Sequence, residues 1–126
     1  MLGPDLCRQF SRDRTGLMLG EGTALFLLDE YQRAHSRGAA IHAELLGFGM
    51  SAHAADLTAP SAGGAADAMR AALDDAGLPA SSAGYINDHG TGTRLNARTE
   101  AAAIDVAISN SFAFGGLTAV LVAGRV

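Results

Sequence analysis

Three observations predict an α/β layered fold with a mixed sheet. Short apolar runs with strand character alternate with amphipathic helical stretches. The last two runs, Val106 to Phe112 and Thr118 to Ala123, are joined through Ala113-Phe-Gly-Gly-Leu117, so they form an antiparallel hairpin. The 126 residues are 48% hydrophobic and 17% charged, the balance of one small globular domain.

After a charge-dense opening from Arg8 to Arg14, Thr23-Ala-Leu-Phe-Leu-Leu28 is too short for an isolated helix and reads as a buried strand. Asp29 to Arg37 reads as a short helix stopped by Gly38, and Ala40 to Leu46 as a second strand ending in Gly47-Phe-Gly49. Residues 50–61 are loop. From Ser61 to Ala76 a helix puts Ala65, Met69, Ala72, Leu73 and Ala76 on one face and Asp67, Arg70 and Asp74 on the other, with Gly77 as its cap. Pro79 to Ser82 turns the chain into a short strand, Gly84 to Asn87. A glycine- and threonine-rich loop, Asp88 to Leu95, follows, and Asn96 caps a helix from Ala97 to about Asp105 with Glu100 in its first turn.

Composition excludes several functions. Nine arginines and no lysine stand against thirteen acidic residues, a net charge of −4 with no basic stripe, so nucleic acid is not an expected partner. The single cysteine, Cys7, rules out an intramolecular disulfide framework, no Cys/His spacing resembles a metal site, and a reducing cytoplasm is the expected compartment. No apolar run approaches the roughly 20 residues that span a bilayer, so no membrane segment is expected.

The sharpest local constellation is Asn87-Asp-His-Gly-Thr-Gly-Thr93, a histidine at the carboxyl end of a predicted strand, where α/β sheets place their ligands. An imidazole N–H there can donate to an oxygen that gains negative charge, and Thr91 and Thr93 can bind polar groups of a long substrate. A plain glycine turn with a half-exposed histidine is the competing reading. Gly115-Gly116, between Phe112 and Phe114, reads either as a mobile gate over a pocket or as a hairpin with two core aromatics. Gly47-Phe-Gly-Met-Ser-Ala52 is not a nucleotide fingerprint, because a loop containing Pro60 follows where a helix should open. Arg12 to Gly22 lacks the Gly-Lys-Ser/Thr ending of a phosphate loop. Cys7 sits on no strand-to-helix elbow and is read as an incidental thiol.

Taken in order, Cys7-Arg-Gln-Phe-Ser-Arg-Asp-Arg-Thr-Gly-Leu-Met-Leu-Gly-Glu-Gly22, Tyr85-Ile-Asn-Asp-His-Gly-Thr-Gly-Thr93 and Ser109-Asn-Ser-Phe-Ala-Phe-Gly-Gly116 resemble the β-ketoacyl-acyl-carrier-protein synthases. The resemblance is to the carboxy-terminal half of such an enzyme, and it implies a thiolase-like sheet packed with helices in layers. It implies acyltransferase chemistry: decarboxylative Claisen condensation of malonyl-carrier protein with an acyl thioester, in fatty-acid or polyketide synthesis. His89 matches a histidine that stabilises the enolate. Thr91 and Thr93 match the threonines that hold the carrier's phosphopantetheine arm, and Glu100 matches an acidic support that acts through a lysine. Phe114 matches the gating phenylalanine at the mouth of the acyl pocket, and Phe112, Gly115 and Gly116 beside it are expected to bind substrate. No resident cofactor is implied, since the carrier delivers the arm.

The departures from the family pattern bear on activity. The nucleophilic cysteine and its elbow are absent, and an internal deletion near 105–106 removes the stretch that supplies the lysine and the second histidine. Ala97 stands where the family usually has Asp, and Asp88 where it usually has Ala. The expectation is a single partial domain over residues 1–126, inactive alone, with an exposed apolar face where a covering layer is missing. The alternative is a non-catalytic module that binds a carrier protein or an intact synthase. A complementary amino-terminal half is a further expected partner.

Overall fold

The computed structural model describes residues 8–53, 61–95, 110–112 and 117–124. Within them the chain forms α1 (Tyr31–Ser36), β1 (Glu44–Ala52), α2 (Ala62–Ala76), β2 (Asn110–Phe112) and β3 (Leu117–Gly124), with a 3₁₀ turn at Ala80–Ser82.

The helix α2 follows its sequence pattern closely. Alanine, the best helix former, dominates it, and neither proline nor a β-branched residue interrupts it. Ser61 caps it from extended backbone, its Oγ accepting the Gly64 N–H at 3.3 Å. Gly77 ends it at φ +65°, donating its N–H to the carbonyls of Asp74 and Leu73. Ala65, Met69, Ala72 and Leu73 are buried, while Asp67, Arg70 and Asp74 are exposed and Arg70 donates to Asp67 at 2.8 Å. Removing the Ser61 cap by Ser61→Ala is expected to cost about 1 kcal/mol. The urea midpoint should fall with an unchanged slope.

The sheet has the order β1-β3-β2, and both ladders are antiparallel. The expected closing hairpin is present in β2 and β3, with Phe112 opposite Thr118. Residues 106–109 and the connection 113–116 lie outside the described residues, as does the helix expected over 97–105. A register shift between Leu45 and Gly47 marks a bulge, and Leu46, the extra residue, packs against the core beside Ala76 and Leu78.

That core lies between α2 and one face of the sheet. Ala65, Ala68, Met69 and Ala72 meet Val120 and Val122, with Thr118 buried on the same face of β3. Beside them Gly47 and Gly49 are buried under the helix, and a Cβ on either would meet the backbone of α2 at Ala72 and Ala76 or at Ala68 and Ala72. Small residues on both elements therefore set the approach of helix to strand. The outward N–H of Phe48 donates to the Asp75 carboxylate at 3.0 Å, which blunts β1 as a sheet edge.

Three expected elements are corrected. The second strand begins at Glu44 and runs to Ala52, so Gly47 and Gly49 are its middle and not its end. The reason is packing, since these glycines make room for α2 and do not reverse the chain. Gly84 to Asn87 forms no strand, and Thr23 to Leu28 pairs with none among the described residues. Leu25, Phe26, Leu27 and Leu28 are between 79% and 97% exposed. A run apolar at every position belongs to a strand covered on both faces. The described residues supply neither a neighbouring strand nor a covering layer for it. The short helix, by contrast, forms as α1, with Glu30 as its cap and Gly38 at φ +67° beyond its end.

Candidate functional site

The loop from Asp88 to Thr93 owes its shape to two glycines. Gly90 and Gly92 are buried and take φ +51° and +70°, left-handed backbone that side-chain-bearing residues rarely adopt. The reversal leaves His89 exposed and Thr91 and Thr93 half-buried. The two threonine hydroxyls lie 3.0 Å apart, and Thr91 Oγ1 also accepts the Thr93 N–H at 3.4 Å. The chain then enters helical backbone at 94–95, ahead of the expected Asn96 cap, which is itself outside the described residues. The histidine and both threonines thus share one turn, as the sequence implied.

A second turn, from Arg8 to Arg14, lies against this loop. The Gln9 carboxamide and the Asp88 carboxylate both reach the position that a Cβ on Gly90 would take. Arg14 donates from Nη1 to the Ser11 carbonyl at 2.7 Å, while its Nε is buried without an acceptor. Asp88 Oδ1 is likewise buried without a donor. Phe10, in the same turn, holds φ 56°, a strained setting for an aromatic residue. Sequence reading assigned this charge-dense stretch no contact with the histidine loop. Only the acidic residue directly before His89 offered a signal.

Glu100, Phe114, Gly115, Gly116 and Cys7 lie outside the described residues, and of Phe112 the backbone alone is described, in β2. A cavity of about 350 Å³ opens elsewhere, between Leu46, Leu73, Leu78, Tyr85 and Leu121. Neither His89 nor either threonine lines it. Its walls are apolar apart from Ser82, Tyr85 and Asn87, so its lining carries no carboxylate, imidazole or thiol of the expected chemistry.

Residues 42–119 match the family model described as β-ketoacyl synthase, C-terminal domain, which includes β1, α2, the histidine loop and most of the hairpin's described residues. The chain belongs to the β-ketoacyl synthase family. It is 51% identical over 104 residues to nodulation protein E of Rhizobium sp. (strain N33), covering 82% of this chain and 26% of that protein. It is 48% identical over 88 residues to 3-oxoacyl-(acyl-carrier-protein) synthase 2 of Vibrio cholerae, covering 68% of this chain and 21% of that protein. The chain therefore spans about a quarter of the length of these relatives. Among solved structures, the ishigamide ketosynthase/chain length factor superposes with a TM-score of 0.92 at 30% identity, over 98% of this chain and 48% of that one.

That superposition makes the fold a thiolase-like α/β arrangement of which this synthase chain holds a part. It also gives the exposed apolar surfaces a physical setting. About half of the superposed ketosynthase chain lies outside the match. No helix among the described residues is long and apolar enough to cross a membrane.

Proposed function

We propose that this chain supplies the carboxy-terminal part of a condensing site acting on carrier-bound thioesters in fatty-acid or polyketide synthesis. The observation that carries the reading is the turn at Gly90 and Gly92, which joins an exposed His89 to the paired Thr91 and Thr93 hydroxyls inside the family match. In the reaction a thiolate takes the acyl group and releases the carrier thiol. Malonyl-carrier protein then loses CO2, the electron pair of the broken bond forms an enolate, and its carbon attacks the acyl thioester, releasing the thiolate. His89 would donate to the enolate oxygen. Thr91 and Thr93 would hold the phosphopantetheine arm that the carrier brings, and the reading includes no resident cofactor or metal. Glu100 would support the site, with Phe114 as its gate and Phe112, Gly115 and Gly116 binding substrate beside it.

On their own the 126 residues would not turn over. Without a nucleophilic cysteine on an elbow there is no acyl-enzyme, and the sequence contains no lysine to partner Glu100. The reading takes the chain as one partial domain, deleted internally near 105–106, working in the cytoplasm. Incubation with an acyl thioester donor, followed by mass spectrometry, is expected to show no adduct at Cys7 and no CO2 from malonyl-carrier protein. A stoichiometric adduct lost on Cys7→Ala would overturn that expectation. Thr91→Ala and Thr93→Ala are each expected to weaken carrier binding about fivefold, the loss of one ordinary hydrogen bond.

The exposed Leu25 to Leu28 run favours a second reading, a non-catalytic module that binds a carrier protein or is seated on an intact synthase. It predicts binding to such a partner with no turnover of its own. Absence of binding in a pull-down would sink it.

A further inference from the structure

We propose that Gln9 is a positioning residue for the histidine loop, acting through Asp88 and Gly90. Glycine populates positive and negative φ about equally, so Gly90 does not by itself choose the +51° that turns His89 outward and Thr91 inward. Something beside it must choose. The space where a side chain at 90 would begin is filled by Asp88 Oδ1 together with Cδ and Nε2 of Gln9. Relaxation of the turn would push Gly90 into these groups or open a void between two loops drawn from distant parts of the chain.

The chemistry of the two side chains fits a latch. Asp88 Oδ1 is buried and accepts no hydrogen bond, which is costly for a carboxylate. The Gln9 amide is a two-proton donor, and its Nε2 lies beside the same Gly90 position that Asp88 Oδ1 occupies, so the latch is the hydrogen bond these two groups would form. Neither residue belongs to the core between α2 and β3, so the contact governs the loop and not the stability of the sheet. Arg8 to Arg14 is thus a brace for the site, held in shape by the Arg14 bond to the Ser11 carbonyl.

Amide hydrogen exchange on the full chain tests the latch directly. Gln9→Ala is expected to raise exchange of the Gly90 to Thr93 amides about tenfold while the α2 amides keep their rates. Gln9→Glu keeps the size, removes the donor and sets a second carboxylate beside Asp88, so its rise should be larger. In an Asp88→Ala background, Gln9→Ala should add less than about twofold, because the partner is already gone. Unchanged loop exchange, a rise shared equally by α2, or full additivity of the two substitutions would each overturn the proposal. The loop's role in carrier binding rests on the condensation reading and has its own readout, the affinity for a phosphopantetheinylated acyl carrier protein. Faster loop exchange with unchanged carrier affinity would keep the latch and discard that reading of the loop.

Discussion

Gly49→Val is expected to destabilise the protein by more than about 3 kcal/mol. A Cβ at this position would lie 2.5 Å from Ala72 N and 3.0 Å from Ala72 Cβ, and it would also meet the Ala68 carbonyl oxygen. Ala72 N and the Ala68 oxygen are backbone atoms in the middle of α2, and Ala72 Cβ is fixed to that backbone, so none can swing aside as the end of a flexible side chain does. Relief requires lifting the helix off β1, which opens the contact that buries Met69 against Val120 and Val122. Overpacking of this kind costs about 1–3 kcal/mol per well-packed site and more when backbone must move. A domain with a total margin of roughly 5–15 kcal/mol has little to spare. Gly63 is the control. It is exposed in the first turn of α2, its nearest new neighbour would be Ser61 Oγ at 3.6 Å, and Gly63→Ala should stabilise by about 0.5–1 kcal/mol. Urea unfolding followed by far-UV circular dichroism separates the two, and a wild-type midpoint for Gly49→Val would mean that α2 does not lie on β1 at this distance.

The same pair of glycines shows where sequence reading stops. Local rules were enough for α2, because its cap, its apolar face and Gly77 all act within one turn or one helix. They were enough for the hairpin, whose two runs are close in sequence. For Gly47 and Gly49 the local reading gave the end of a strand. Their actual reason is a helix that begins more than a turn later and packs back on them, a tertiary fact with no local signal. Leu25 to Leu28 read locally as a buried strand, and the structure overturns that reading, because burial depends on neighbours that the described residues do not contain. The site divides in the same way. His89, Thr91 and Thr93 were legible as one motif and share one turn, whereas the brace from Gln9 depends on two loops meeting across the fold.

Val120→Asp and Leu121→Asp, adjacent in β3, are expected to give opposite results. Val120 is 1% exposed, and its core neighbours Ala65, Ala68, Met69 and Ala72 have no side-chain donor to offer a carboxylate. An acid there must stay charged and unpaired or take up a proton, and either course is expected to cost about 4 kcal/mol or more, enough to abolish cooperative unfolding. Leu121 points to the opposite face, where it is 51% exposed near its partner Phe48, with Leu45 and Met50 of β1 exposed as well. Leu121 is not part of the core between α2 and β3, so the effect of Leu121→Asp on stability should stay far below that of Val120→Asp. It does interrupt an apolar surface of the kind that drives association. Sedimentation velocity should therefore show less self-association for Leu121→Asp than for the parent chain, while its urea unfolding stays cooperative. Equal destabilisation by both substitutions would mean that the outer face is already covered in solution. The cover would then have to come from this chain itself, and docking onto another synthase polypeptide through that face would lose its physical basis.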